Sequence, residues 1–302
     1  MVHRIYEIAS PLPQVDCVFF LLTIRARNLF LNGLFNDPFQ TLFSYLGVLY
    51  LLRRRYTASL MFFSLGASVK MSGLLWAPGV AAYLLSTIGL IRTLQASWAG
   101  VLVQVLVAIP FRGHLWLYIH RSFELDRQFT WFNVPPHLRH DSSYTNLSSQ
   151  TLNWKFLPPE IFYSRTFSIL LLSLHIIFAA LFIRRLQPPR TPFSTLTLLS
   201  PTLFSGIAFS RSLHYSFYIW YFHLIPFLLR LGGLGLPARV AVALGFEWAW
   251  NQWQSYKAHD EFNSCATWWG SAGMVVLHFF VLWRLYGNVG REYKDKNGRV
   301  LG

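Results

Sequence analysis

Residues 210–227 read SRSLHYSFYIWYFHLIPF. Arg211, His214 and His223 stand here among Tyr, Phe and Trp side chains, and the stretch runs directly into an apolar segment. Ionisable groups at membrane depth are costly, so they usually line a site or a water-filled cavity. On a helix, Arg211, His214, Tyr218 and Tyr221 fall at i, i+3, i+7 and i+10, close to one face. A cation, an imidazole and phenols on one face suit a phosphate and a sugar. The same composition also suits an aromatic belt at a membrane interface with a snorkelling Arg.

Working outward, the rest of the chain is equally apolar. Of its 302 residues, 54% are hydrophobic and only 13% charged, against about 25% charged in a soluble domain. Apolar runs predict spans near 15–33, 39–52, 58–70, 72–91, 97–111, 166–183, 193–209, 215–230, 238–252 and 267–286. A full crossing needs about 20 residues, so the runs at 39–52, 58–70 and 238–252 are short. The expected fold is all-α: a polytopic transmembrane helical bundle, with residues 1–302 forming a single membrane domain.

Charge orients the spans. Arg53, Arg54, Arg55, Arg92, Arg184, Arg185, Arg190, Arg230 and Arg239 occupy alternate gaps, and Arg291, Lys294 and Lys296 the tail. The positive-inside rule puts these in the cytosol, with 287–302 as a cytosolic tail. The other gaps, including the long loop 112–165, then face the lumen. The net charge of +14 suits topology and anionic membrane lipids better than nucleic acid. The two cysteines, Cys17 and Cys265, exclude a disulfide scaffold and a Cys-rich metal site. No cleavable signal pattern precedes the first run, so an internal span is expected to direct insertion.

The 210–227 stretch is similar to one in the dolichyl-phosphate-mannose-dependent α-1,3-mannosyltransferases, the Alg3 family (glycosyltransferase family 58). LFNDPF at 34–39, FFSLGASVKMSGLLWAPG at 62–79, RSFELDRQF at 121–129, LNWKFLPPEIF at 152–162 and FEWAWN at 246–251 resemble family segments in the family order. The resemblance implies a GT-C-like bundle in the endoplasmic-reticulum membrane. It also implies transfer of mannose from dolichyl phosphate mannose to a dolichyl-diphosphate-linked oligosaccharide, with no cofactor and no metal. The family's N-terminal span and first lumenal loop, which carries its catalytic acid, have no counterpart in the sequence as given. The chain by itself is therefore expected to show no detectable transfer. The runner-up reading is a non-catalytic membrane protein that keeps lipid and glycan binding. A transporter also tolerates inward polar groups, but no repeated halves are present.

Inverting sugar transfer needs a carboxylate near the acceptor hydroxyl and cations around the leaving phosphate. Asp37, in Asn36-Asp37-Pro38, is the candidate catalytic carboxylate; its alternative role is capping a helix start. Glu124, Asp126, Glu160 and Glu247 are the other carboxylates considered. Lys70 interrupts an apolar stretch and either holds a phosphate or snorkels. Arg121 and Arg127 either bind phosphate or pair locally with Glu124 and Asp126. Trp154 and Lys155 stack on and anchor a glycan, or anchor the chain at the interface. Arg211, His214 and Tyr218 complete the candidate substrate-binding set. Asn146-Leu147-Ser148 is an N-glycosylation acceptor pattern, inside a segment, 133–150, that looks like an insertion relative to the family. His137 and His140 lack convincing metal spacing. No P-loop, Rossmann fingerprint or nucleophile elbow occurs, so no motif points to a nucleotide-sugar donor.

Overall fold

The structure is a computed structural model that describes residues 1–9, 36–122, 152–186, 189–213, 215–258 and 261–289. The expected span at 15–33, together with Arg127, Asn146 and His214, lies outside them. The described chain is predominantly helical, as expected. Its helices are α1 (Val2–Ala9), α2 (Asp37–Leu52), α3 (Tyr56–Val69), α4 (Ala77–Ala108), α5 (Leu115–Ser122), α6 (Pro159–Tyr163), α7 (Arg165–Leu186), α8 (Pro192–Ala208), α9 (Ile225–Leu231), α10 (Leu236–Trp250) and α11 (Trp268–Asn288). An antiparallel hairpin, β1 (Trp253–Ala258) with β2 (Glu261–Ala266), adds a small element that apolar periodicity did not announce.

The helix boundaries follow local chemistry. Asp37 and Pro38 open α2, where a fixed φ and a missing N–H cost nothing. A capping box opens α8: Thr191 accepts from the Ser194 N–H at 3.1 Å, and the Thr191 N–H donates to Ser194 Oγ at 2.9 Å. Thr267 caps α11 by accepting from the Gly270 N–H at 3.1 Å. The Arg53–Arg55 gap is a tight turn in which Arg54 adopts φ 58°.

Helix α4 is two helices joined at Gly89, whose φ of 75° and ψ of 172° interrupt the spiral. The two halves run in opposite senses along α3. Tyr83 and Trp76 face Tyr56 and Phe63, an antiparallel order. In the second half, Ser64 donates to the Gly100 carbonyl and Gln104 to Ser68 Oγ, a parallel order. The chain therefore reverses at Gly89, three residues before Arg92. This agrees with separate runs at 72–91 and 97–111 but needs no loop between them.

Helix α8 is the centre of the assembly. Every residue from Thr195 to Ala208 is buried, and α1, α4, α7, α9 and α11 pack around it. Its hydroxyls are satisfied within the helix: Thr197, Ser200 and Thr202 donate to carbonyls four residues back. Small residues let neighbours approach. A Cβ on Gly79 would meet Thr202 Oγ1 at 2.4 Å, and one on Gly206 would meet His175 Nε2 at 3.0 Å.

The outer faces are apolar. Leu90, Ile91, Leu94 and Trp98 on α4, and Ile169, Leu172 and Ile176 on α7, are all more than half exposed. The helical stretch Met71–His120, which contains the reversal at Gly89, and helix Arg165–Leu186 are long and apolar enough to cross a membrane.

Candidate functional site

Helices α2 and α3 form a hairpin, so the start of one and the end of the other lie at the same end. Close packing brings them together: a Cβ on Gly66 would stand 3.1 Å from Ser44 Oγ, and one on Gly47 would strike the Phe63 ring. Lys70 follows α3 in an extended conformation. Its Nζ donates to Asp37 Oδ1 at 2.7 Å, a charge-assisted bond. The Trp220 indole N–H donates to the same oxygen at 2.7 Å. Lys70 Nζ also lies 4.4 Å from the Phe217 ring centre, and Phe217 stacks on Trp220 at 3.9 Å. Asp37 is fully buried, and its second oxygen, Oδ2, is buried with no hydrogen-bond partner among the described residues. Asn36, not Asp37, occupies the N-cap position of α2, and the hydrogen bonds of the Asp37 carboxylate run to Lys70 and Trp220, so it belongs to this cluster and not to the helix end.

The expectation of one continuous helical face over Arg211, His214, Tyr218 and Tyr221 is corrected. Residues 211–213 are non-helical, and Tyr215–Trp220 and Phe222–Leu224 are 3-10 turns. In a 3-10 turn, side chains at i and i+3 eclipse, which is the geometry of the Phe217–Trp220 stack. Pro226 then opens α9. The side chains consequently diverge. Tyr218 donates to Glu247 Oε1 at 2.6 Å. The Tyr221 hydroxyl accepts from the Trp250 indole N–H at 3.0 Å and pairs with His278 Nε2 at 3.0 Å.

Arg211 belongs to a second cluster. Its Nη2 donates to the Phe162 carbonyl at 2.9 Å, and its guanidinium lies 5.1 Å from the Phe162 ring centre. Burial pulls the Arg211 pKa below its usual value, while the nearby Tyr163 hydroxyl pushes it back up. Tyr163 is raised by the same burial, with Arg211 opposing. Beside it, segment 152–154 is laced to 210–213. The Leu152 N–H donates to the Leu213 carbonyl at 2.6 Å, and the Leu213 N–H to Asn153 Oδ1 at 2.8 Å. The Asn153 amide and the Trp154 indole N–H, the latter at 2.9 Å, both donate to the Ser210 carbonyl. Trp154 is buried, with φ 63°. Its ring makes a T-shaped pair with Phe167, so it braces the loop from within. The Lys155 N–H donates to Ser271 Oγ on α11 at 2.8 Å.

The structure thus joins Asp37 and Lys70 to the 217–220 turn, and joins Arg211 to 152–163. Arg121 lies in α5. Sequence reasoning did not single out Phe217, Trp220 or His278. A lone His inside the apolar run 267–286 was the available signal for His278; nothing local distinguished Phe217 or Trp220 from an aromatic belt. Among the described residues no group of His, Cys, Asp and Glu can hold a metal.

Comparison with known proteins places these segments in context. A profile of the ALG3 protein family matches residues 1–192 and 184–259. A Dictyostelium discoideum relative, described as a probable Dol-P-Man:Man(5)GlcNAc(2)-PP-Dol alpha-1,3-mannosyltransferase, is 33% identical over 81% of this chain and 56% of its own length. The human protein with that activity in its name is 32% identical over 95% of this chain and 65% of its own length. The Neurospora crassa one is 32% identical over 80% and 59%. The chain therefore spans between 56% and 65% of these curated relatives. No solved structure matches.

Proposed function

The chain belongs to the ALG3 protein family, and on that premise we propose that it is an α-1,3-mannosyltransferase of the endoplasmic-reticulum membrane. It takes mannose from dolichyl phosphate mannose and adds it to the dolichyl-diphosphate-linked Man5GlcNAc2 oligosaccharide. The proposed architecture is a polytopic GT-C-like bundle of about ten full or partial spans. In it, 112–165 and the Asp37–Lys70 end of the α2–α3 hairpin face the lumen, and 287–302 the cytosol.

One observation carries the reading: the buried Asp37 carboxylate, tied through one oxygen to Lys70 and Trp220, keeps its other oxygen without a partner. A buried polar atom left unsatisfied is costly, and a substrate hydroxyl is the donor that would satisfy it. In the proposed reaction the acceptor hydroxyl passes its proton to Asp37. A bond forms between that oxygen and the mannose C1 as the C1–phosphate bond breaks. Lys70, only 28% exposed, is placed to exchange Asp37 for the departing phosphate. Arg211 supplies a second cation, held by the Phe162 carbonyl.

The test is complementation of cells lacking this mannosyltransferase. The chain is joined to the part of the human relative that it does not match, and lipid-linked glycans are analysed. Conversion of the Man5 to the Man6 species is expected. Persistent Man5 despite full-length, membrane-inserted protein would refute the proposal.

A further inference from the structure

At the opposite end of the α2–α3 hairpin from Asp37, about 22 Å away by helix rise, an open cavity of about 700 Å³ lies between two turns. Arg54 and Arg55 line it from the α2–α3 turn, and Arg92 from the first turn after Gly89; Tyr56, Gln95 and Ile88 complete the wall that matters here. No carboxylate lines the cavity. Among the described residues none of these arginines has an ion-pair partner, since the three ion pairs all lie elsewhere. Like charges gathered in this way repel, and an anion relieves the repulsion.

The backbone is arranged to gather them. Arg54 holds φ 58° and Gly89 φ 75°. A non-glycine residue in the left-handed region costs about 1 kcal/mol or more and points to a constraint worth explaining. A Cβ on Gly89 would meet nothing within 4 Å. The glycine is there for its conformation, which turns the chain and sets Arg92 beside Arg54. Next to the cavity, Leu90, Ile91, Leu94 and Trp98 present a continuous apolar face, each more than half exposed. Cations on the same helical segment as exposed apolar side chains match a phosphate headgroup with its acyl chains alongside.

We propose that this cavity binds the phosphate headgroup of an anionic phospholipid of the cytosolic leaflet, its chains lying along 90–98 of α4. The proposal rests on the membrane placement given above, not on the transferase activity. Its test is lipid retention by the purified full chain in nanodiscs of phosphatidylcholine, alone or with phosphatidylinositol, read by native mass spectrometry. Phosphatidylinositol should be retained well above its bulk share. Arg92→Gln should lower that enrichment about fivefold, and the Arg54→Gln/Arg55→Gln/Arg92→Gln variant should abolish it. Gly89→Ala, which leaves every arginine in place, should lower it through the turn. Enrichment that survives the triple substitution, or no enrichment in protein that is monodisperse in phosphatidylcholine nanodiscs, would overturn the site. Failure to enter any nanodisc would overturn the membrane placement beneath it. Thermal stabilisation by inorganic phosphate equal to that by the lipid would show a free-phosphate site and overturn the lipid assignment.

Discussion

Replacing Lys70 by Met removes one partner of a buried ion pair and leaves the other in place. The Asp37 side chain is 1% exposed and Lys70 28%, so the stranded charge is the carboxylate. Breaking a buried pair from one side costs about 3–5 kcal/mol. The lower end applies here, because Trp220 still donates to Oδ1 at 2.7 Å and Lys70 is partly wet. Lys70→Met is therefore expected to lose about 3 kcal/mol. Asp37→Asn keeps an acceptor for Trp220 and strands only the partly exposed ammonium, so about 1–2 kcal/mol is expected. The double variant buries no charge and should be little worse than Asp37→Asn. The coupling energy is then about 2–3 kcal/mol. The assay is reversible unfolding in mixed micelles, followed by loss of helical circular dichroism across the four proteins of the cycle. A coupling below about 0.5 kcal/mol, the usual limit of additivity, would refute the pairing. Lys70→Met no less stable than Asp37→Asn would refute the burial argument.

Other consequences are equally direct. In the complemented protein, Asp37→Asn should lower mannose transfer about 10²–10⁴-fold, measured as Man6 formation in membranes matched for protein level. Arg211→Ala should cost about 2–4 kcal/mol of transition-state stabilisation; wild-type turnover at saturating and limiting donor would remove Arg211 from the site. Gly79→Ala drives a methyl to within 2.4 Å of Thr202 Oγ1 and should cost about 1–3 kcal/mol, with Thr202→Ala restoring part of it in the same unfolding assay. A glycosylation reporter in 112–165 should be modified and one at the Arg53 gap should not; the reverse pattern would invert the proposed topology.

Much of the fold was legible as apolar length. The runs at 39–52, 58–70, 166–183, 193–209, 238–252 and 267–286 each overlie a helix. Where the reading slipped, backbone conformation decided the outcome. Hydropathy placed a gap around Arg92, but a single glycine at φ 75° reverses the chain earlier, and no periodicity marks such a residue. The 210–227 stretch read as helical because its polar groups share a face at that spacing. The aromatic side chains instead settle into 3-10 turns that stack Phe217 on Trp220. A face argument assumes the helix it is drawn on, and here the side chains that define the face are what displace it.

The site divides along the same line. That Asp37 and Lys70 meet follows from arithmetic: α2 has 16 residues and α3 has 14, joined by a tight turn, so their far ends must coincide. Their partner Trp220 is 183 residues beyond Asp37, outside the reach of any local rule. Trp220 is in turn carried by a segment without α-helical backbone bonding, so something outside that segment must hold it. Tyr221 supplies the hold: it sits between Trp250 of α10 and His278 of α11, with Phe204 of the central helix against its ring. Helix α11 lies past residue 259, where the family match stops. Read alone, it is a further apolar span. Placed in the fold, it holds the turn that closes Asp37, which makes its histidine part of the site's support. Tyr221→Phe, which removes the shared hydroxyl and leaves the ring, should therefore loosen the Asp37 cluster from a distance. It should lower mannose transfer in the complemented protein by more than its own stability loss of about 1–3 kcal/mol explains. Transfer reduced only in proportion to the folded fraction would mean that α11 anchors the chain and does nothing for the site.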